Sequence, residues 1–118
     1  MKEARTALAD TFFMYQKAHS YHWNVEGNLF PMLHEFFGNL YEEIYGAVDP
    51  MAEHIRSLNE YAPRDVEEMY DDKTVECKNR AKTPTEMLND LLETNDKVID
   101  SRSEEHTSAL QSRGLISY

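Results

Sequence analysis

From Phe30 to Leu58 the residues Phe30, Leu33, Phe37, Leu40, Ile44, Ala47, Met51, Ile55 and Leu58 recur at intervals of three and four. That spacing lines up side chains only on an α-helix, so this stretch constrains the fold before any other feature. Beside it runs a second line: His34, Gly38, Tyr41, Tyr45, Asp49, Glu53 and Arg56. A helix with one buried face carries a polar face opposite. A semi-polar second line therefore predicts a second packing surface, that of a partner subunit. The helix is expected over residues 29–60. A kink is expected where Pro50 cannot donate to the carbonyl of Gly46.

Residues 2–23 read as a helix whose stripe of Ala4, Leu8, Phe12, Tyr15, His19 and His22 begins apolar and ends in two histidines. Gly27 or Asn28 then turns the chain. Pro63 ends the next helical segment. Residues 65–72 suit a short acidic helix with Asp65 as N-cap and Glu68 at the third position. Residues 73–82 read as loop. Thr83, Pro84 and Glu86 give an N-cap, a first-turn proline and the closing member of a capping box. Met87, Leu88, Leu91, Leu92, Val98 and Ile99 supply the apolar face of the helix that follows. With four Gly and four Pro in 118 residues, the chain reads as all-α.

Lys and Arg number 12 against 22 Asp and Glu, a formal charge of −10. Phosphate contacts need a basic surface, so tight non-specific DNA binding is not expected. An acidic surface attracts cations. The single Cys77 excludes a disulfide framework and reads as an inert thiol. No apolar run approaches the roughly 18 residues of a membrane span, and the N-terminus lacks the apolar core of a signal peptide. A cytoplasmic location is the simplest expectation.

From Arg102 the character changes. Residues 102–112 resemble the in-frame translation of a widely used sequencing-library adapter, with Ala109 where that translation has Glu and the other ten positions matching. The alternative is a native polar helix, since Glu, Ala, Leu and Gln favour helix. The match favours a foreign tail over 102–118 and native sequence over 1–101. His106 is therefore excluded from the site. Residues 102–118 hold two Arg and two Glu, so residues 1–101 carry the whole charge of −10.

Four groups suit a transition metal: His22, His34, Asp49 and Glu53. Asp49 and Glu53 are one turn apart and share a helical face, which in an acidic protein is ordinarily a solvated face. Flanking Tyr41, Tyr45, Met51 and Ile55 make this face less like open surface. His34 and Asp49 lie fifteen residues apart, about 22 Å along one helix, and cannot hold one ion within one chain. A site using all four must form between two antiparallel chains across a two-fold axis, giving two equivalent sites per dimer. Glu-x-x-His motifs typical of di-iron bundles are absent before His22, His34 and His54, which disfavours a centre inside one bundle. His54 projects away from Glu53 and reads as structural. Tyr41 and Tyr45 read as interface packing, with redox participation as the lesser alternative. Asp65, Glu67, Glu68, Asp71 and Asp72 read as a solvated helix, with iron attraction the alternative.

His22-Trp23-Asn24-Val25-Glu26-Gly27, Phe30, Leu33-His34-Glu35, Tyr41, Asp49 and Ala52-Glu53-His54-Ile55 resemble the signature of the DNA-binding proteins from starved cells, the Dps mini-ferritins. The resemblance implies a ferritin-like four-helix bundle with the fourth long helix missing here, built into a two-fold dimer and a homododecamer around an acidic interior. It implies iron ligation by His22, His34, Asp49 and Glu53 at an intersubunit ferroxidase centre. There Fe(II) is oxidised, preferably by hydrogen peroxide, and stored as Fe(III). Trp23 would stand near the centre and intercept oxidising equivalents, with His19 as a supporting ligand or a packed histidine. The family's Asp one turn after the second histidine is Gly38 here, which weakens a second iron position or eases helix packing. The lysine-rich N-terminal arm is absent, so DNA binding is expected to be weak or lacking. Two rivals stand beside the ferroxidase: a nucleoid-associated DNA-compacting protein with a vestigial iron site, and a truncated fragment without function.

Overall fold

The computed structural model describes residues 2–78 and 80–112, with side chains through Glu105. Among them are five helices: α1 (Lys2–Asn24), α2 (Phe30–Tyr45), α3 (Val48–Ser57), α4 (Val66–Asp72) and α5 (Pro84–Ser112). The architecture is all-α, as expected. None of the described helices is long and apolar enough to cross a membrane.

α1 is the hub, packed by α2 and α5 along its length and by α3 and α4 near its start. Its buried line differs from the stripe expected from the sequence. Ala7, Thr11, Met14, Ala18 and Tyr21 are buried, whereas Phe12, Tyr15, His19 and His22 are only half-buried. Small and polar residues hide this line from a hydropathy reading. Asp10 and Lys17 are buried charges that the structure satisfies. Asp10 accepts from Thr74 N at 2.7 Å, Thr74 Oγ1 at 2.6 Å and Val75 N at 3.1 Å, and also from the Ser101 hydroxyl. One carboxylate thus joins α1, the loop after α4, and α5. Lys17 Nζ lies 2.9 Å from Asp90 Oδ1 and 2.9 Å from Thr94 Oγ1, and the Tyr21 hydroxyl donates to Asp90 Oδ2. A buried ion pair of this kind is costly to break because a lone charge is then stranded in a medium of low polarity.

The helix expected over 29–60 is divided. α2 ends at Tyr45 and α3 begins at Val48, with Gly46 and Ala47 between them. Pro50 cannot bond the Gly46 carbonyl, and the ladder breaks on that side of it. Ala47 N bonds Ile44 O at 3.0 Å, the tighter i→i+3 form, before Met51 N resumes on Ala47 O at 3.3 Å. Leu33, Phe37 and Ile55 are the buried members of the apolar stripe.

The helix starts follow the sequence closely. Asp65 Oδ1 accepts from Glu68 N at 2.8 Å. At α5 the box is reciprocal: Glu86 N donates to Thr83 Oγ1 at 3.2 Å and Thr83 N to Glu86 Oε1 at 3.0 Å. Two backbone donors on Glu86, with the Thr83 hydroxyl, hold its carboxyl below the ordinary value of 4.5. The acidic α4 is not wholly solvated. Arg5 reaches Glu68 at 3.2 Å, Asp72 at 3.1 Å and the Tyr61 carbonyl at 2.9 Å, clamping α4 to α1.

The backbone of α5 is helical to Ser112, and Glu105 Oε1 lies 3.1 Å from His54 Nε2. Residues 113–118 of the expected foreign tail lie outside the described residues. Of the expected α5 face, Met87, Leu91 and Val98 are buried, but Leu92 and Ile99 are exposed. Leu88, Leu91 and Leu92 instead face Phe36, Leu40 and Met14 across an open apolar groove of about 400 Å³ between α2 and α5.

Candidate metal centre

The centre begins at the turn from α1 into α2. Val25 is buried after the last turn of α1, and Gly27 then takes φ 109°, a left-handed conformation that costs a glycine little. Phe30 N closes the turn on Gly27 O at 3.1 Å. The reversal lays the end of α1 against the start of α2 and brings His22 onto His34.

The two imidazoles stack, with centroids 3.8 Å apart and planes 17° off parallel. Each ring also bonds to the other's backbone. His22 Nδ1 lies 2.7 Å from the carbonyl oxygen of His34, and His34 Nδ1 lies 2.8 Å from that of His22. A carbonyl oxygen only accepts, so both Nδ1 atoms carry the proton. In the neutral form of each ring, Nε2 is then the nitrogen that presents the lone pair. This is the arrangement by which an outer hydrogen bond fixes the tautomer of a metal-binding histidine. Phe30 extends the stack on His34, with centroids 4.9 Å apart and planes 23° off parallel.

Gly38 lies directly beneath this pair. A Cβ placed there would come within 3.1 Å of both Cε1 and Nδ1 of His22. The missing side chain makes room for the ring that binds the His34 carbonyl.

His19 belongs to an aromatic cluster rather than to the stacked pair. It lies on Tyr41, 3.8 Å between centroids and 10° between planes, and against Trp23 at 4.1 Å. Its Nδ1 is 3.0 Å from the Tyr15 hydroxyl. Burial, then the neighbouring His22, lowers the His19 pKa from 6.5; burial, then Tyr45 and Tyr41, raises that of Tyr15 from 10.0. Tyr41, expected at an interface, is half-buried inside its own chain, whereas Tyr45 is exposed with its ring 4.6 Å from Tyr15. Trp23 is 62% exposed. Cys77 is half-buried, and burial pushes its thiol up.

Asp49 and Glu53 lie exposed on α3, beyond the break in the helix. Among the described residues no three His, Cys, Asp or Glu side chains converge as a metal site. One chain therefore brings together His22 and His34 and leaves the two carboxylates apart from them. The sequence reading missed Tyr15 as more than a packing residue. The signal for it was its place four residues before His19, a spacing that makes side chains meet on a helix.

The model of the ferritin-like domain matches residues 2–113. The chain belongs to the ferritin-like family. Within it, the Dps assignment from the His22-Trp23-Asn24 motif is supported by relatives and by fold. The DNA protection during starvation protein of Brevibacillus brevis is 43% identical over 51 residues, 43% of this chain and 34% of that protein. The crystal structure of Dps from Thermosynechococcus elongatus superposes with a TM-score of 0.87 at 22% identity, covering 93% of this chain and 70% of that one. A Dps protein of Vibrio cholerae, described as a member of a broad superfamily of ferritin-like diiron-carboxylate proteins, superposes at 0.71 with 22% identity, covering 94% and 76%. The match thus spans about a third of the curated relative's length and about three quarters or less of the solved chains.

Proposed function

We propose that the chain is an iron-sequestering subunit of the Dps type, oxidising Fe(II) with hydrogen peroxide and passing Fe(III) to storage. His22 and His34 of one subunit and Asp49 and Glu53 of the partner subunit form the centre, within a two-fold dimer of a homododecamer in the cytoplasm. The observation that carries this reading is the reciprocal Nδ1-to-carbonyl bonding of His22 and His34, which leaves two oriented Nε2 donors.

Iron is here the substrate. Imidazole tolerates both ferrous and ferric ions, while carboxylates favour the harder ferric ion. A mixed donor set therefore holds Fe(II) and favours its oxidation. Peroxide takes one electron from each of two Fe(II) ions and, with two protons, leaves as two waters, so no hydroxyl radical is released. The net charge of −10 draws cations toward the protein. In the full assembly His34→Ala is expected to slow peroxide-driven iron oxidation at least about tenfold, measured by stopped-flow absorbance of Fe(III). An unchanged rate rejects the assignment.

The rival reading, a nucleoid-compacting protein, is disfavoured by the same −10 charge. A gel shift at physiological salt separates the two. Residues 102–118 we propose to be foreign to the native sequence; codons that do not spell the adapter overturn that.

A further inference from the structure

We propose that the loop after α3 is a docking surface for a second copy of this chain. Arg56, Tyr61 and Arg64 of one subunit receive the α1–α2 turn of the other, with Glu26 of the partner subunit set against the two guanidiniums. The inference rests on the intersubunit centre proposed above and extends the contact beyond the ligands.

The receiving surface is fixed by its own chain. α3 ends at Ser57, and the backbone turns through Asn59, whose φ of 65° is left-handed. Leu58 N and Glu60 N both bond Ile55 O, at 3.1 and 3.4 Å. Arg56 Nη1 donates to Glu60 O at 2.9 Å, and Arg5 Nη1 to Tyr61 O at 2.9 Å. Arg64 N donates to Glu68 Oε1 at 3.2 Å. These bonds present a Tyr61 ring that is 62% exposed, with the guanidinium carbons of Arg56 and Arg64 at 4.5 and 4.9 Å from its centroid. Arg5 is paired with Glu68 and Asp72, but among the described residues Arg56 and Arg64 have no carboxylate partner. Two unpaired guanidiniums on one exposed ring, in a chain of net charge −10, favour an acidic group from another molecule.

Register says which group arrives. Antiparallel lines that set His34 of one subunit against Asp49 and Glu53 of the other have their two-fold axis midway, near Glu42 and Glu43. Arg56 ends the same line, about 20 Å beyond that axis at 1.5 Å per residue. It therefore meets the partner near Leu29, beside the α1–α2 turn. Glu26 in that turn is exposed and has no ion pair among the described residues. Leu29 and Phe30 beside it are exposed apolar side chains that can cover the Tyr61 ring. An acid with apolar neighbours thus faces two bases on an aromatic ring. Two-fold symmetry makes the contact twice, once at each end of the interface. The turn joins the helices that carry His22 and His34, and Arg56 lies one helical turn beyond Glu53, so docking aligns the two halves of each centre.

The test measures self-association of the metal-free full chain by analytical ultracentrifugation. Arg56→Glu combined with Arg64→Glu sets acid against acid at both ends of the dimer and is expected to weaken association at least about tenfold. Glu26→Arg, which faces the two guanidiniums with a third, is expected to do the same. All three changes in one chain exchange the charges and are expected to recover most of the loss, which a variant that merely misfolds would not do. Glu93→Arg, on the exposed side of α5, is expected to leave association unchanged. As a second measurement, a Glu26→Cys chain is mixed with an Arg64→Cys chain, both carrying Cys77→Ser, and oxidised; a disulfide between the two chains is expected. A monomeric wild type, reversals without effect, or a loss that the charge exchange does not recover overturns the proposal. Peroxide-driven iron oxidation by the wild type is followed separately. If it proceeds while the reversals have no effect on association, only the docking surface falls. If the wild type neither associates nor oxidises iron, both readings fall.

Discussion

His34, Gly38 and Tyr41 lie against α1, whereas Asp49, Glu53 and Arg56 continue the same helical line and stay exposed. The two halves are separated by the break at Gly46 and Ala47. The first half rests on a crossing braced from below. Tyr21, next to His22, bonds Asp90, which also pairs with Lys17. The second half has a single fully buried residue, Ile55, set against Ala4 and Leu8. On the proposed function, the difference follows the chemistry of the ligands. An imidazole must be held in one tautomer and one direction, and only groups of the same fold do that continuously. A carboxylate accepts from many directions and is suited to delivery by a second subunit.

Several substitutions break or sharpen this contrast. Asp90→Ala strands the Lys17 ammonium beneath the histidine crossing and is expected to cost about 3–5 kcal/mol, read by urea denaturation. A loss no larger than that of a surface substitution would show that the crossing does not lean on this pair. Gly38→Ala inserts a methyl group 3.1 Å from the His22 ring and is expected to cost about 1–3 kcal/mol. NMR should then show the His22 Nδ1 proton displaced or lost; an unmoved resonance would mean that Gly38 is not what admits the ring. Asp49→Ala, on the other half, is expected to change the stability of the isolated subunit by less than about 0.5 kcal/mol while abolishing iron oxidation by the assembly. A large loss of subunit stability would erase the distinction between the halves.

The smallest effect lies outside both halves. The Glu86 pKa is held below 4.5 by the backbone of Thr83 and Lys82. A depressed carboxylate stabilises the fold fully above its unfolded pKa and loses that contribution as pH falls through the folded value. Glu86→Gln should remove this acid-side dependence from the melting temperature and leave the histidine crossing untouched.

Much of this was legible in the chain. The N-cap at Asp65 and the capping box at Thr83 are local hydrogen-bond chemistry, and the structure places both starts as read. The consequence of Pro50 was also local: a missing donor breaks the ladder on the Gly46 side. The core line of α1 was not legible, because Ala7, Thr11 and Ala18 carry little hydropathy and Asp10 and Lys17 point the wrong way on any such scale. Leu92 and Ile99 failed in the other direction. They are apolar and in register with α5, yet exposed, because helical period says which residues share a face and not whether anything covers it.

The sequence by itself determined the helices, where they start and break, and the residue types able to bind iron, since these rest on contacts within a few residues. Tertiary structure decided which ring nitrogens are free, why position 38 holds a glycine, and that Tyr15 and His19 join the rings around His22. Those depend on the crossing of α1 and α2, where the groups that orient one histidine belong to the backbone of the other.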